Sequence, residues 1–193
     1  MGSNFSVDSF MPNTYLEIKN FLLKNLNNVL LSNREIIFLC IGTDRCTGDS
    51  LGPLVGHKLK PLMPKNKFYV YGTLESPVHS KNLVSILDKI HSSFSNPYIV
   101  AIDACLGKIN NIGKIFIENK PLSPGLALNK NLPKVGDLSI TGIVNISGNF
   151  EFLVLQNTRL YVVMNLAEVI YKGILHFTLA ASKLNNKKTL YNI

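Results

Sequence analysis

Two carboxylates stand where the pattern of the chain could put them to chemical use. Asp49 closes a glycine-bearing loop, and Asp103 follows the apolar run Tyr98-Ile99-Val100-Ala101-Ile102. A charge at the end of a buried apolar strand is costly unless it is paired, protonated or bound to a cation. The structural alternative for Asp103 is a carboxylate accepting N–H groups of the following turn. For Asp49 it is a helix N-cap, a position that Asp favours, ahead of Ser50-Leu51-Gly52-Pro53. Placed at one sheet edge, the two can share a proton, which raises one pKa and leaves an acid–base pair near neutral pH. They can equally hold a divalent metal, with His79 or a water completing the shell. The residues alone leave both chemistries open.

Other reactive residues carry less. Cys46 lies in the same loop, with His79 or His57 as conceivable bases, but no cysteine-protease signature surrounds it. His57 reads as a surface residue of a helix, and Cys40 and Cys105 as core or near-core residues. Asp44 and Arg45 are either mutual loop partners or substrate contacts. A phosphate loop is excluded, since five residues separate Gly42 from Gly48 and Asp49-Ser50 stands where Lys-Ser/Thr is required. No GxGxxG pattern is present.

The elements that must position these residues alternate. The spacing predicts a helix over 15–31 and a strand over 35–41, whose six consecutive apolar residues suit a strand covered on both faces. Further helices are expected over 50–60 and 81–91, and strands over 68–71, 98–103, 112–117 and 138–144. A long core-packing helix over 150–181, bent near Gly173, closes the pattern. This order implies an α/β sandwich around a mostly parallel sheet, with a loose segment 1–14 before one domain over 15–193. In such sheets ligands bind beyond the carboxyl ends of the strands, which places the loops 42–49, 72–79 and 103–108 at the site.

Composition bounds the function. With 46% apolar and 17% charged residues over 193 positions, the chain is globular. The net charge of +8 comes from scattered lysines, and no nucleic-acid module is present, so specific nucleic-acid binding is not expected. Gln156, Asn157, Arg159, Asn165, Glu168 and Lys172 interrupt the apolar stretch 150–181, so no membrane span is expected. Three cysteines without paired spacing, and no secretory signal, point to a reducing cytosolic compartment.

At the loops the sequence becomes recognisable. Gly42-Thr43-Asp44-Arg45-Cys46-Thr47-Gly48-Asp49-Ser50-Leu51-Gly52-Pro53 resembles the YyaC family of sporulation proteins. So do Gly72-Thr73 with Pro77-Val78-His79-Ser80, and Ala101-Ile102-Asp103-Ala104-Cys105-Leu106-Gly107. The stretches 132–145 and 155–160 fit the same family, so the resemblance covers about 35–181. That family is similar in turn to the germination proteases of spore-forming bacteria, and more distantly to the hydrogenase-maturation endopeptidases.

The resemblance implies a three-layer sandwich of the phosphorylase/hydrolase kind. It also implies a peptidase-like protein of sporulation or germination, acting in the cytoplasm of the sporulating cell or in the spore interior. Its substrate would be a peptide or protein, small acid-soluble spore proteins among the candidates. The essential aspartates of the germination proteases fall on Asp49 and Asp103. Gly42, Thr43, Asp44, Arg45, Gly48, His79, Thr141 and Gly142 are the expected substrate contacts. The maturation enzymes bind a metal at the acidic positions. Their third ligand, a histidine from a later loop, has no counterpart here, because His79 comes from an earlier one.

The leading expectation is an aspartate-dependent endopeptidase without a cofactor, using backbone N–H groups of the glycine loop for the oxyanion. The alternatives are a non-catalytic peptide-binding or assembly module and a metal-assisted hydrolase with candidate ligands Asp49, Asp103 and His79.

Overall fold

The computed structural model describes residues 5–32, 34–64, 67–124 and 132–191, with side chains through Leu184. A six-stranded sheet is built from β1 (Phe5–Asp8), β2 (Ile36–Cys40), β3 (Phe68–Tyr71), β4 (Tyr98–Gly107), β5 (Lys114–Glu118) and β6 (Leu138–Ile146), in the order β1-β5-β6-β4-β2-β3. The strands β3, β2, β4 and β6 are parallel, β5 runs antiparallel to β6, and β1 antiparallel to β5. The helices are α1 (Thr14–Asn25), α2 (Asn27–Leu31), α3 (Leu51–Leu59), α4 (Leu83–Ser93), α5 (Glu151–Gln156) and α6 (Leu160–Tyr191).

Strand alternation sorts the core into two layers. Ile36, Phe38, Cys40, Val100, Ile102, Leu138 and Ile140 join the cluster that holds α1, α3 and α6. Ile37, Leu39, Ile41, Ile99 and Ala101 join a second cluster with Leu83 and Ile90 of α4. Helices therefore cover both faces, the three-layer α/β arrangement expected. All five residues of β2 are buried, as a strand sandwiched between helix layers must be.

Four features of the fold depart from the sequence reading. The segment expected to be loose contains β1, which pairs Phe5 with Ile117 and Asp8 with Lys114. Its partner β5 lies more than a hundred residues away, so no local pattern announces it. The expected helix over 15–31 divides at Leu26 into α1 and α2. The long closing helix divides at Asn157–Arg159, where Asn145 Nδ2 donates to Val154 O and Thr158 Oγ1. Gly173 lies within α6; a Cβ there would stand 2.6 Å from Ile18 Cγ2, so this glycine lets α1 approach. Finally, β4 runs past Asp103 to Gly107 because β6 continues beside it.

The segment Leu160–Leu184 is long and apolar enough to cross a membrane by composition, yet half of it is buried inside the protein. Val163, Leu166, Ala167, Ile170, Ile174 and Phe177 pack in the first core layer. Glu168 on its flank binds Lys58 Nζ of α3 at 2.9 Å. It is a core helix.

Candidate active site

Two close approaches of backbone to backbone shape the site. A Cβ on Gly52 would lie 2.1 Å from Ile41 O, and one on Gly56 would lie 1.8 Å from Gly72 O. Glycines four apart thus let α3 lie directly against the ends of β2 and β3. Beyond Ile41 the chain turns at Gly42, whose φ of 139° and contact with Asp49 O exclude any side chain. Gly42 N–H donates to Val78 O (2.8 Å) and Thr43 N–H to Asp49 O (3.0 Å), which folds the loop back on itself. Its last residues, Thr47–Asp49, form a 3₁₀ turn, so Asp49 is fixed through its own backbone. The residue heading α3 is Ser50, not Asp49.

Asp103 reaches the same place from β4. The β2 ladder ends at Cys40 opposite Ile102, and Ile41 N–H donates to Ile102 O at 2.7 Å. Among the described residues, Asp103 is therefore where β4 loses β2 and keeps β6 alone. Alternation sends it to the same face as Ile99 and Ala101, towards α4, and it is only 6% exposed. Its Oδ1 accepts the Ala104 N–H at 2.8 Å. Burial, and then the charge of Asp49, push its carboxyl well above the ordinary carboxylate range, against the opposing pull of that N–H. The two carboxyls stand near enough for the charge of Asp49 to bear on Asp103, and the shift favours the protonated form of Asp103.

The pair stands between two cavities. One, of about 530 Å³, is bordered by Gly42, Thr43, Arg45, Cys46, His79, Lys81, Leu132 and Phe152 as well as both aspartates. The other, of about 330 Å³, lies along Ala104, Cys105 and Leu106 and reaches Glu118, Lys120, Ser139 and Thr141. Both aspartates border both cavities. Sequence reasoning missed the second wall: Lys120 and Ser123 carry no motif, and they follow β5, whose Glu118 pairs with Ser139 of β6 two residues before Thr141, the partner of Asp103.

The expected contacts divide accordingly. Gly42, Thr43, Arg45 and His79 border the first cavity and Thr141 the second. Asp44 is exposed and borders neither. Gly48 is turned towards α5, where a Cβ would meet Leu155 and Thr158 at 2.8 Å. Gly142 faces the other core layer, where a Cβ would lie 2.5 Å from Leu51 Cδ2. Its neighbour Thr141 has the opposite pleat, which is why one enters the site and the other does not. Gly48 and Gly142 are packing glycines, a role indistinguishable in sequence from close approach to a ligand.

The expected oxyanion donors are also redistributed. The N–H groups of Gly42, Thr43 and Asp49 bond to carbonyls of the protein, and that of Arg45 to Thr43 Oγ1. These four are occupied by the fold of the loop itself.

A metal fits poorly. Among the described residues no three His, Cys, Asp or Glu side chains group as a metal would need. His79 Nδ1 accepts the Lys81 N–H at 3.3 Å, which places the ring proton on Nε2, the atom a metal would need bare. Two carboxylates alone fall short of the three protein ligands of a hydrolytic zinc centre.

Cys46 borders the first cavity but is buried, and desolvation raises its thiol pKa despite N–H groups of Asp49 and Gly48. Cys105, read from the sequence as a core or near-core residue, is instead exposed because it lies on the part of β4 beyond the end of β2; partial desolvation and then the charge of Asp103 raise its thiol pKa. His57 is exposed on α3, as expected.

Comparison with known proteins accords with the fold. The chain spans 98% of the NiFe hydrogenase maturation protease HycI from Thermococcus kodakarensis KOD1, over 80% of its own length, with a TM-score of 0.51 and 17% identity. That likeness establishes the architecture. At the sequence level, the uncharacterized protein YyaC of Bacillus subtilis (strain 168) is 49% identical over 158 residues, 82% of this chain and 76% of that protein. Residues 7–173 match the family described as a protein of unknown function, DUF1256. The chain therefore belongs to the family of YyaC, built on the fold of a maturation protease.

Proposed function

We propose that this protein is an aspartate-dependent endopeptidase of the germination-protease type, acting on spore proteins in the cytoplasm of the sporulating cell or in the spore. The observation that carries the reading is Asp103: a nine-tenths buried carboxyl, driven to hold its proton, beside a second carboxylate and open to two cavities. A purely structural acid would gain nothing from either neighbour. The fold shared with a maturation protease is consistent with it.

The chemistry follows from two carboxyls in unequal environments. Asp49, as carboxylate, takes a proton from a water while the water oxygen attacks the peptide carbonyl carbon. Asp103, as acid, gives its proton to the carbonyl oxygen, which supplies the stabilisation that the occupied loop N–H groups cannot. The resulting diol collapses as Asp49 returns its proton to the amide nitrogen. The C–N bond breaks, and a diol hydroxyl re-protonates Asp103. Arg45 and Lys81, both exposed cations at the first cavity, orient the chain that enters it.

The test is purified protein incubated with a mixture of small acid-soluble spore proteins, with and without chelator, beside the Asp49→Asn and Asp103→Asn variants. Cleavage that survives chelation and is lost in both variants is the expected result. Cleavage lost with chelator assigns the same pair to a metal. No cleavage, with tight binding of the spore proteins, makes the protein a binding module.

A further inference from the structure

The free edge of β4 suggests how a substrate is held, an inference that rests on the peptidase reading of the same site. Because β2 ends opposite Ile102, residues Asp103 to Gly107 have β6 on one side and, among the described residues, no strand on the other. Ile102 O points towards β2, since it accepts the Ile41 N–H. Main-chain groups alternate in direction along a strand, so those of Ala104 face the same, unpaired side. The Ala104 N–H donates instead to Asp103 Oδ1, which occupies the edge with the acid itself. The second cavity follows this edge along Ala104, Cys105 and Leu106, and the first continues past Asp103 beneath Arg45 and Lys81.

We infer that the occupant is an extended, acidic polypeptide segment that adds to Asp103–Gly107 as a further strand. Its main chain pairs with the β4 edge, and it crosses the aspartate pair into the first cavity, where a carboxylate side chain meets Arg45 and Lys81. Strand addition draws affinity from main-chain hydrogen bonds and specificity from alternate side chains. It also presents a peptide bond in a fixed register to the aspartates, as a cleaving site requires. A folded helix cannot make this contact, so the substrate class is unstructured or locally unfolded chain.

The experiment uses the full-length protein and a library of extended peptides of about twelve residues, with Glu fixed at one position and the others varied. The tightest binder is then N-methylated at one set of alternate residues or at the other. Strand addition predicts that one set weakens binding by about tenfold or more, while the other changes it by less than about twofold. Protection of the Leu106 amide, which by alternation faces the same side as Ala104, from hydrogen exchange accompanies binding. Equal effects of the two sets, or no binder in the library, overturns the inference, whatever the cleavage result. Alternating dependence without cleavage of any bound peptide supports the docking edge and removes the peptidase reading.

Discussion

From Val100 to Ile102, β4 lies between β2 and β6, and Ile99, Val100, Ala101 and Ile102 are buried in two helix-covered layers. From Asp103 to Gly107 the same strand has, among the described residues, one neighbouring strand, together with a buried carboxyl, an exposed thiol and two flanking cavities. The first half spends its residues on packing, where each apolar side chain removed from water contributes about 1.5–3 kcal/mol. The second half gives up that gain and places an acid where desolvation works against its charge. A strand that stops being economical at one residue, where its neighbour departs, marks the boundary between scaffold and site.

The largest expected effect lies just past that boundary. Asp103→Asn should lower kcat/KM on a cleaved peptide by about 10²–10⁴-fold, the range for loss of a general acid. Stability should stay level or rise. Asn Oδ1 still accepts the Ala104 N–H, and the cost of a buried, repelled charge disappears. The pH dependence has a definite sign. The Asp103 pKa is raised on folding, so the folded state holds more protons than the unfolded one above about 3.8. Its contribution is fully present below that value and is lost as pH rises through the raised pKa. Melting temperatures from acid to neutral pH should therefore fall less in Asp103→Asn than in the parent. Peptidase activity should likewise decline as pH rises through the Asp103 pKa. A lower melting temperature for the variant at neutral pH would make Asp103 a structural acceptor.

In the first half the expectation reverses. Val100→Ala, at a fully buried position, should cost about 2 kcal/mol in chemical denaturation, with kcat/KM per folded molecule unchanged. If this variant lost activity and kept its stability, the division of β4 into scaffold and site would be wrong.

Gly142→Ala sharpens the same boundary on β6. The new methyl meets the flexible end of Leu51, so a cost of about 1–3 kcal/mol is expected, with KM unaltered. A raised KM at full stability would return Gly142 to the substrate contacts.

The legibility of the molecule follows the range of its interactions. β3 falls on the residues the pattern indicates, and β2 and α3 within a residue or so at each end, because apolar periodicity reports burial locally. Asp103 stands out for the same reason: a carboxyl after four buried residues breaks a local rule. What was not legible depends on partners far along the chain. β1 is a strand through β5, and the tail of β4 is a strand through β6. Gly48 and Gly142 read as ligand contacts until Leu155 and Leu51 are seen beside them. The loop N–H groups read as free until Val78 O and Asp49 O are found to accept two of them.

The smallest expected effect concerns Cys46, which shares the first cavity with Asp49, Asp103 and His79 and so tests whether the aspartates or a thiol perform the chemistry. A nucleophilic cysteine needs its thiolate, and sites that use one lower the thiol pKa with a cation or a helix N-terminus. Here the balance runs the other way. Desolvation raises it first and the Asp49 charge adds to that, while N–H groups of Asp49 and Gly48 only partly compensate. His79 is a poor base for it as well, since Nδ1 already accepts the Lys81 N–H. Cys46→Ala should therefore leave kcat/KM within about twofold of the parent, and alkylation by iodoacetamide at pH 7 should be slow and without effect on turnover. The cost in stability should be near 1 kcal/mol, that of trimming one small, mostly buried group. Abolished activity in a variant that still melts cooperatively near the parent temperature would transfer the nucleophile to Cys46. Asp49 and Asp103 would then be reduced to its surroundings.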